Sequence, residues 1–335
     1  MSEEFYKVDP TPRSSWRLAV LMGANSRTYK FALGDALLQV AASGRTEVLL
    51  DELTVPYAMS LLRHMEQAPQ AAQSSATAKT DFLKIAEREA AESRRLGRPT
   101  EALVRAAAKN MPGMVMQKFH NLGKGSQVPH RFYELEGSAR ERIVRFSPEL
   151  RQVALSEQTG LLQGELEARW NIVESSFATD INRTLLQEGV AVDLQAMKVL
   201  DKRRRRAITG VKEAVIGFQH GLCLICGHVL GPNDEYAIDH VFPWSLMDRM
   251  GWQGPDLDSV WNLAPAHVPC NLAKSNRLPY EVELSRLAQR NEAIMHSPHP
   301  LRKTLQLTLQ NGTNRRIVPG GWPYFIRSVL ALITT

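Results

Sequence analysis

Two short half-sites constrain this chain more than any other feature: Cys223-x-x-Cys226-Gly227 and His267-x-x-Cys270. A tight turn lets two thiolates point at one ion, and the glycine permits the backbone path that such a turn needs. One half-site is a weak signal, but two at matching spacing predict that the chain folds them together as a closed Cys3His tetrahedron for a structural Zn2+. His220 and His228 are rivals for the fourth position, although spacing favours His267. Without a metal these are reduced, buried thiols. The chain has 3 cysteines, an odd number that does not suit a secreted disulfide framework. Small zinc units have little apolar mass, so Trp244 and Trp261 are expected to pack their core.

Ahead of the half-sites the sequence reads as mostly helical. Residues 1–13 carry two prolines and no periodicity, which predicts a loose arm. Apolar positions then recur at three and four residues, giving helices entered at Ser26 and at Asp51, the second carrying Pro56. Residues 67–80, rich in Ala, Gln, Ser and Thr, read as a linker, with helical patterns again over 81–95 and 100–109. Residues 128–135 and 142–146 flank Glu136-Gly137-Ser138 and predict a β-hairpin. Further helices are expected from Pro148, over 161–177 and over 194–218. The last of these would carry Lys202, Arg203, Arg204, Arg205 and Arg206, five consecutive cations that repel one another. They are expected to contact phosphate; the alternative is a solvated helix face. A formal net charge of +6 suits a polyanionic partner.

Between and after the half-sites stand Ala237-Ile238-Asp239-His240-Val241-Phe242-Pro243-Trp244-Ser245, then Trp261-Asn262-Leu263, then Cys270-Asn271-Leu272-Ala273-Lys274. In this order, over residues 213–285, the sequence resembles the HNH endonuclease family, and within it single-chain bacterial proteins with a helical N-terminal region, some associated with defence against foreign DNA. Two departures are a longer loop over 247–259 and His267 where many members have cysteine.

The resemblance implies a ββα-metal unit: a strand with Asp239-His240, a second strand, and a helix starting near Cys270. It implies His240 as the general base, and Asp239 and Asn271 as oxygen ligands of a catalytic Mg2+ or Mn2+. Asn262 would fix loop geometry, and Lys274 or Arg277 would steady the phosphate. The fold class expected is mainly α with a small α+β region. Its segments are an arm (1–13), a helical domain (14–205), a zinc-stapled nuclease domain (206–290) and a C-terminal extension packing on the body (291–335). The expected partner is nucleic acid, DNA foremost, with room for a protein partner on the N-terminal helical domain. An acidic N-terminus without an apolar run, and no membrane-length segment, predict a cytoplasmic protein with no membrane role. A second reading is a catalytically inactive zinc-stabilised nucleic-acid-binding or assembly module. A catalytic zinc is disfavoured, because four protein ligands leave no open position for water.

Overall fold

The computed structural model describes residues 2–23, 27–71, 81–122, 125–138, 141–177, 191–193, 198–200, 207–208, 211–248, 252–310 and 320–334. The chain is mainly helical with small sheets, and it divides into two compact units, residues 10–182 and residues 1–9 with 183–335.

The segment read as a loose arm begins as a helix, α1 (Ser2–Val8). Phe5 on it is buried, its ring stacked on His220 at 4.1 Å. The two prolines, Pro10 and Pro12, lie beyond α1 and do not break it.

The larger unit holds α2 (Pro12–Arg17), a π-helical turn (Leu18–Met22), α3 (Tyr29–Ala42), β1 (Glu47–Leu49), α4 (Leu50–Met65), α5 (Phe82–Leu96) and α6 (Glu101–Met114). After them come β2 (Tyr133–Glu136), β3 (Ile143–Phe146), α7 (Pro148–Ala154) and α8 (Thr159–Phe177). Asp81 and Thr100 cap α5 and α6 by accepting from Leu83 N and Leu103 N. The hairpin is present, and β1, which no periodicity marked, adds to it in the antiparallel order β1-β3-β2. α4 starts one residue before Asp51, with the Glu52 carboxylate accepting from Leu49 N at 3.0 Å. Of the expected linker, residues 72–80 lie outside the described residues, but Gln70 is buried and accepts from Trp170 Nε1 and Thr28 Oγ1. The core packs Trp16, Phe31, Tyr57, Phe119, Phe132 and Trp170 around a buried ion pair, Arg17 with Glu165 at 2.8 Å.

In the other unit the helix expected over 194–218 is corrected at Lys198–Leu200 and Ala207–Ile208, which are strands, and is present over Val211–Phe218; residues 194–197, 201–206 and 209–210 lie outside the described residues. Three antiparallel strands, β4 (Ala191–Asp193), β5 (Lys198–Leu200) and β6 (Ala207–Ile208), precede a short α9 (Val211–Phe218). Pairing with the neighbouring strand supplies the hydrogen bonds a helix would make within itself, and it overrides the helical periodicity there. Lys202, Arg203, Arg204, Arg205 and Arg206 lie outside the described residues.

The chain continues through β7 (Tyr236–His240), β8 (Leu263–His267), α10 (Val268–Lys274), α11 (Glu281–Met295), α12 (Leu301–Gln310) and α13 (Gly321–Thr334). The expected break at 290/291 falls inside α11. α13 packs on the ribbon region: Trp322 and Phe325 lie 6.1 and 5.2 Å from the fully buried Trp261 ring. Arg290 of α11 is buried with no carboxylate partner among the described residues and is satisfied by carbonyls instead. It donates to Leu263 O, Val260 O and Trp261 O and to the Asn291 side chain. Burial lowers its pKa to about 9. No helix among the described residues is long and apolar enough to cross a membrane.

Candidate functional site

β7 and β8 form a two-stranded antiparallel ribbon in which Tyr236 faces His267 and His240 faces Leu263. α10 follows β8 without a loop, so His267 and Cys270 stand one helical turn apart on one side of it. The first half-site reaches them through a tight turn. Gly227 N donates to Cys223 O at 2.9 Å, Cys223 N to His228 O at 2.8 Å, and Leu224 N to Pro265 O on β8 at 3.0 Å. Gly227 has φ +77, and a Cβ there would meet Arg286 Nη2 at 2.5 Å. Arg286 needs that space, since its Nη1 donates to Leu224 O and Ile225 O at 2.7 Å and ties the turn to α11.

The result is a cluster of Cys223, Cys226, His267 and Cys270, with one ligand atom from each all lying within 4.8 Å of one another. His267 Nδ1 is 3.4 Å from Cys226 Sγ and 4.0 Å from Cys270 Sγ. Its Nε2 donates to Val229 O at 3.1 Å, with Asp234 Oδ2 at 3.3 Å, which fixes the ring and turns Nδ1 toward the sulfurs. Burial opposes ionisation of Cys223, but the N–H groups of Cys226 and His267 outweigh it and hold the thiol below its ordinary range. Burial and the neighbouring Cys223 and Cys226 sulfurs push Cys270 up to about 12. Three thiolates therefore cannot share this space unaided. A dication relieves that repulsion, and the donor set is the one Zn2+ prefers, so the cluster can hold a zinc ion. His220 stacks on Phe5 instead, and neither it nor His228 belongs to the group.

The other motif residues gather at the far end of the ribbon. Asp239 and His240 close β7. Asp239 is mostly buried, and burial raises its carboxyl pKa while Lys274 opposes the rise. Lys274 Nζ lies 2.9 Å from Asp239 Oδ2 but donates to His240 O at 2.9 Å. Oδ2 is thus buried against the Lys274 ammonium. Lys274 itself is buried, turned inward rather than toward solvent where a phosphate would lie. Arg277 is also engaged: it forms a forked pair with Glu283 at 2.8 and 2.5 Å, and its guanidinium stacks 3.9 Å from the Tyr280 ring centroid. These two cations, expected to steady phosphate, are paired with Asp239 and Glu283.

Asn262 is fully buried and braces the loop after β7. It accepts from Phe242 N at 2.8 Å and donates to Phe242 O at 2.8 Å and Leu257 O at 2.9 Å. Asn271 lies one turn before Lys274 on α10, so it shares the side of the helix that reaches β7. Its side chain has no hydrogen bond among the described residues. His240 Nε2 is 2.7 Å from Asp258 Oδ1, a residue the motif did not include. Trp244, expected in the core, is 54% exposed, because its neighbours Phe242 and Leu246 take the buried positions. No family model matches the chain, and no curated protein or solved structure matches it.

Proposed function

We propose that the protein is a metal-dependent endonuclease of the HNH type that hydrolyses phosphodiester bonds of nucleic acid, DNA foremost. The observation that carries the reading is the pairing of Asp239 and His240 at the end of a ribbon whose other end is tied to α10 by the Cys3His cluster. In the proposed reaction His240 takes a proton from water, the water oxygen attacks phosphorus, and the P–O bond opposite breaks. A hard dication held by Asp239 and Asn271 would supply positive charge at the leaving oxygen. The Asn271 amide, which has no hydrogen bond among the described residues, fits such an ion, whereas Asp239 Oδ2 faces the Lys274 ammonium at 2.9 Å. The zinc would be structural, stapling the ribbon to α10. Trp244, exposed four residues beyond His240, would meet the substrate. The resemblance also carries the proposal of a role in bacterial defence.

One observation favours a second reading, a zinc-stapled binding or assembly module without catalysis: the Lys274 ammonium already neutralises Asp239. Plasmid cleavage separates the two. The nuclease reading expects cutting of supercoiled plasmid in Mg2+ or Mn2+, none in EDTA, and none by His240→Ala at equal folded concentration while DNA binding persists. Equal cutting by His240→Ala defeats the mechanism; no cutting by wild type with either metal defeats the enzyme reading.

A further inference from the structure

The segment between β7 and β8 has no periodicity, yet its second half is closely pinned. Trp252 Nε1 donates to Pro255 O at 3.1 Å, Leu257 N to Met247 Sδ at 3.2 Å, and Trp261 Nε1 to Asp256 O at 2.9 Å. Asn262 Nδ2 holds Leu257 O, and the Leu257 side chain is fully buried. Asp258 N donates back to Asp256 Oδ1 at 2.9 Å. The backbone on both sides of Asp258 is therefore fixed, and its carboxylate points at His240.

We propose that Asp258 is a positioning residue for His240, holding the imidazole in one orientation and one tautomer with Nδ1 as the working nitrogen. This rests on the nuclease reading. The chemistry follows from the contact itself. An ionised carboxylate only accepts, so at 2.7 Å from Asp258 Oδ1 the proton of neutral His240 belongs on Nε2. Nδ1 then carries the lone pair, and it has no hydrogen-bond partner among the described residues. A water bound beside it would pass its proton to Nδ1, and the resulting imidazolium would keep Nε2–H on Asp258. Without Asp258 the ring could rotate, and the neutral form would divide between tautomers. The pair is partly exposed, with side chains 27% and 49% accessible, so it adds little stability. Its removal should leave the fold intact, which makes the role testable.

The test is Asp258→Ala, with Asp258→Glu as the conservative variant, read in two ways. Long-range proton–nitrogen NMR of histidine-labelled full-length protein reads the His240 tautomer directly, its signal assigned by its loss in His240→Gln. The expected result is Nε2–H in wild type and a tautomer mixture in Asp258→Ala. Single-turnover plasmid cleavage against Mg2+ concentration should show Asp258→Ala slowed on the order of 10- to 100-fold at saturating metal, the usual cost of releasing a working imidazole. The half-saturating Mg2+ should stay unchanged, and Asp258→Glu should recover part of the rate. An unchanged tautomer in Asp258→Ala overturns the proposal. So does a rate restored by excess metal, which would make Asp258 a metal ligand. Failure of wild type to cut any nucleic acid strikes the nuclease reading instead, and the NMR result still decides whether Asp258 sets the ring.

Discussion

Replacing Asn262 with alanine should unfold much of the site, and the size of the effect can be worked from its three hydrogen bonds. The side chain is fully buried and serves one N–H and two carbonyls: Phe242 N, Phe242 O and Leu257 O. Alanine leaves all three backbone groups without a partner in a place water does not reach. Each such group costs about 1–3 kcal/mol, and because the three share one side chain the losses do not simply add. A destabilisation on the order of 3–6 kcal/mol is expected, a large part of the roughly 5–15 kcal/mol that holds a typical domain together. Asn262→Asp sharpens the test. It keeps the acceptor for Phe242 N but turns oxygen toward two carbonyl oxygens, so the buried carboxyl must be protonated to fit. Its pKa in the fold is then raised above the unfolded value of about 3.9, and the stability present at low pH is lost as pH rises through the folded pKa. Denaturant unfolding followed by tryptophan fluorescence should show the alanine variant weakened at every pH, and the aspartate variant weaker at pH 7.5 than at pH 5. A loss below 1 kcal/mol for Asn262→Ala would refute the reasoning.

The zinc staple makes its own prediction. Protein purified without added metal should carry about one zinc per chain, and Cys226→Ser should destabilise residues 183–335 by a large part of the roughly 10 kcal/mol that a structural zinc supplies, while leaving the helical signal of residues 10–182. Metal analysis and far-UV circular dichroism read both, and a folded, metal-free wild type is the adverse result. In the larger unit, burial, aided by the Arg131 and Lys30 charges, holds His120 down at about 4. Its neutral ring accepts from Phe132 N at 2.9 Å. Stability from this group is present above the unfolded value near 6.5 and is lost as pH falls toward 4, by about 3 kcal/mol at 1.36 kcal/mol per unit. His64 does not blur this window. Burial opposes its protonation but Glu167 and Glu174 outweigh it, so its effect lies above 6.5. His120→Gln, which keeps an acceptor, should flatten the slope between pH 6.5 and 4; an unchanged slope rules out His120 as its source.

The order of helices in residues 27–177 was legible because each helix carries its own evidence: periodic apolar positions and caps such as Asp81 and Thr100 act over a few residues. The Cys3His group was legible for a similar reason, since each half-site is local and its donor chemistry admits few uses. The misreadings fall where pairing with another segment decides. Phe5 orders α1 by stacking on a ring that comes much later in the chain. Strand pairing at 198–200 and 207–208 overrode a helical pattern that the sequence carries there.

The site divides along the same line. The sequence alone determined which groups are available: the thiols and imidazole of the cluster, the carboxylate of Asp239, the ring of His240, and the amides of Asn262 and Asn271. Only the tertiary structure decided what each does with its charge and hydrogens. It turned Lys274 and Arg277 inward onto Asp239 and Glu283, put Trp244 outside, and brought Asp258 to His240. The physical reason is that donor type is a property of the residue, whereas burial and pairing belong to the space around it. That space exists only once the ribbon, α10 and α11 have closed on one another.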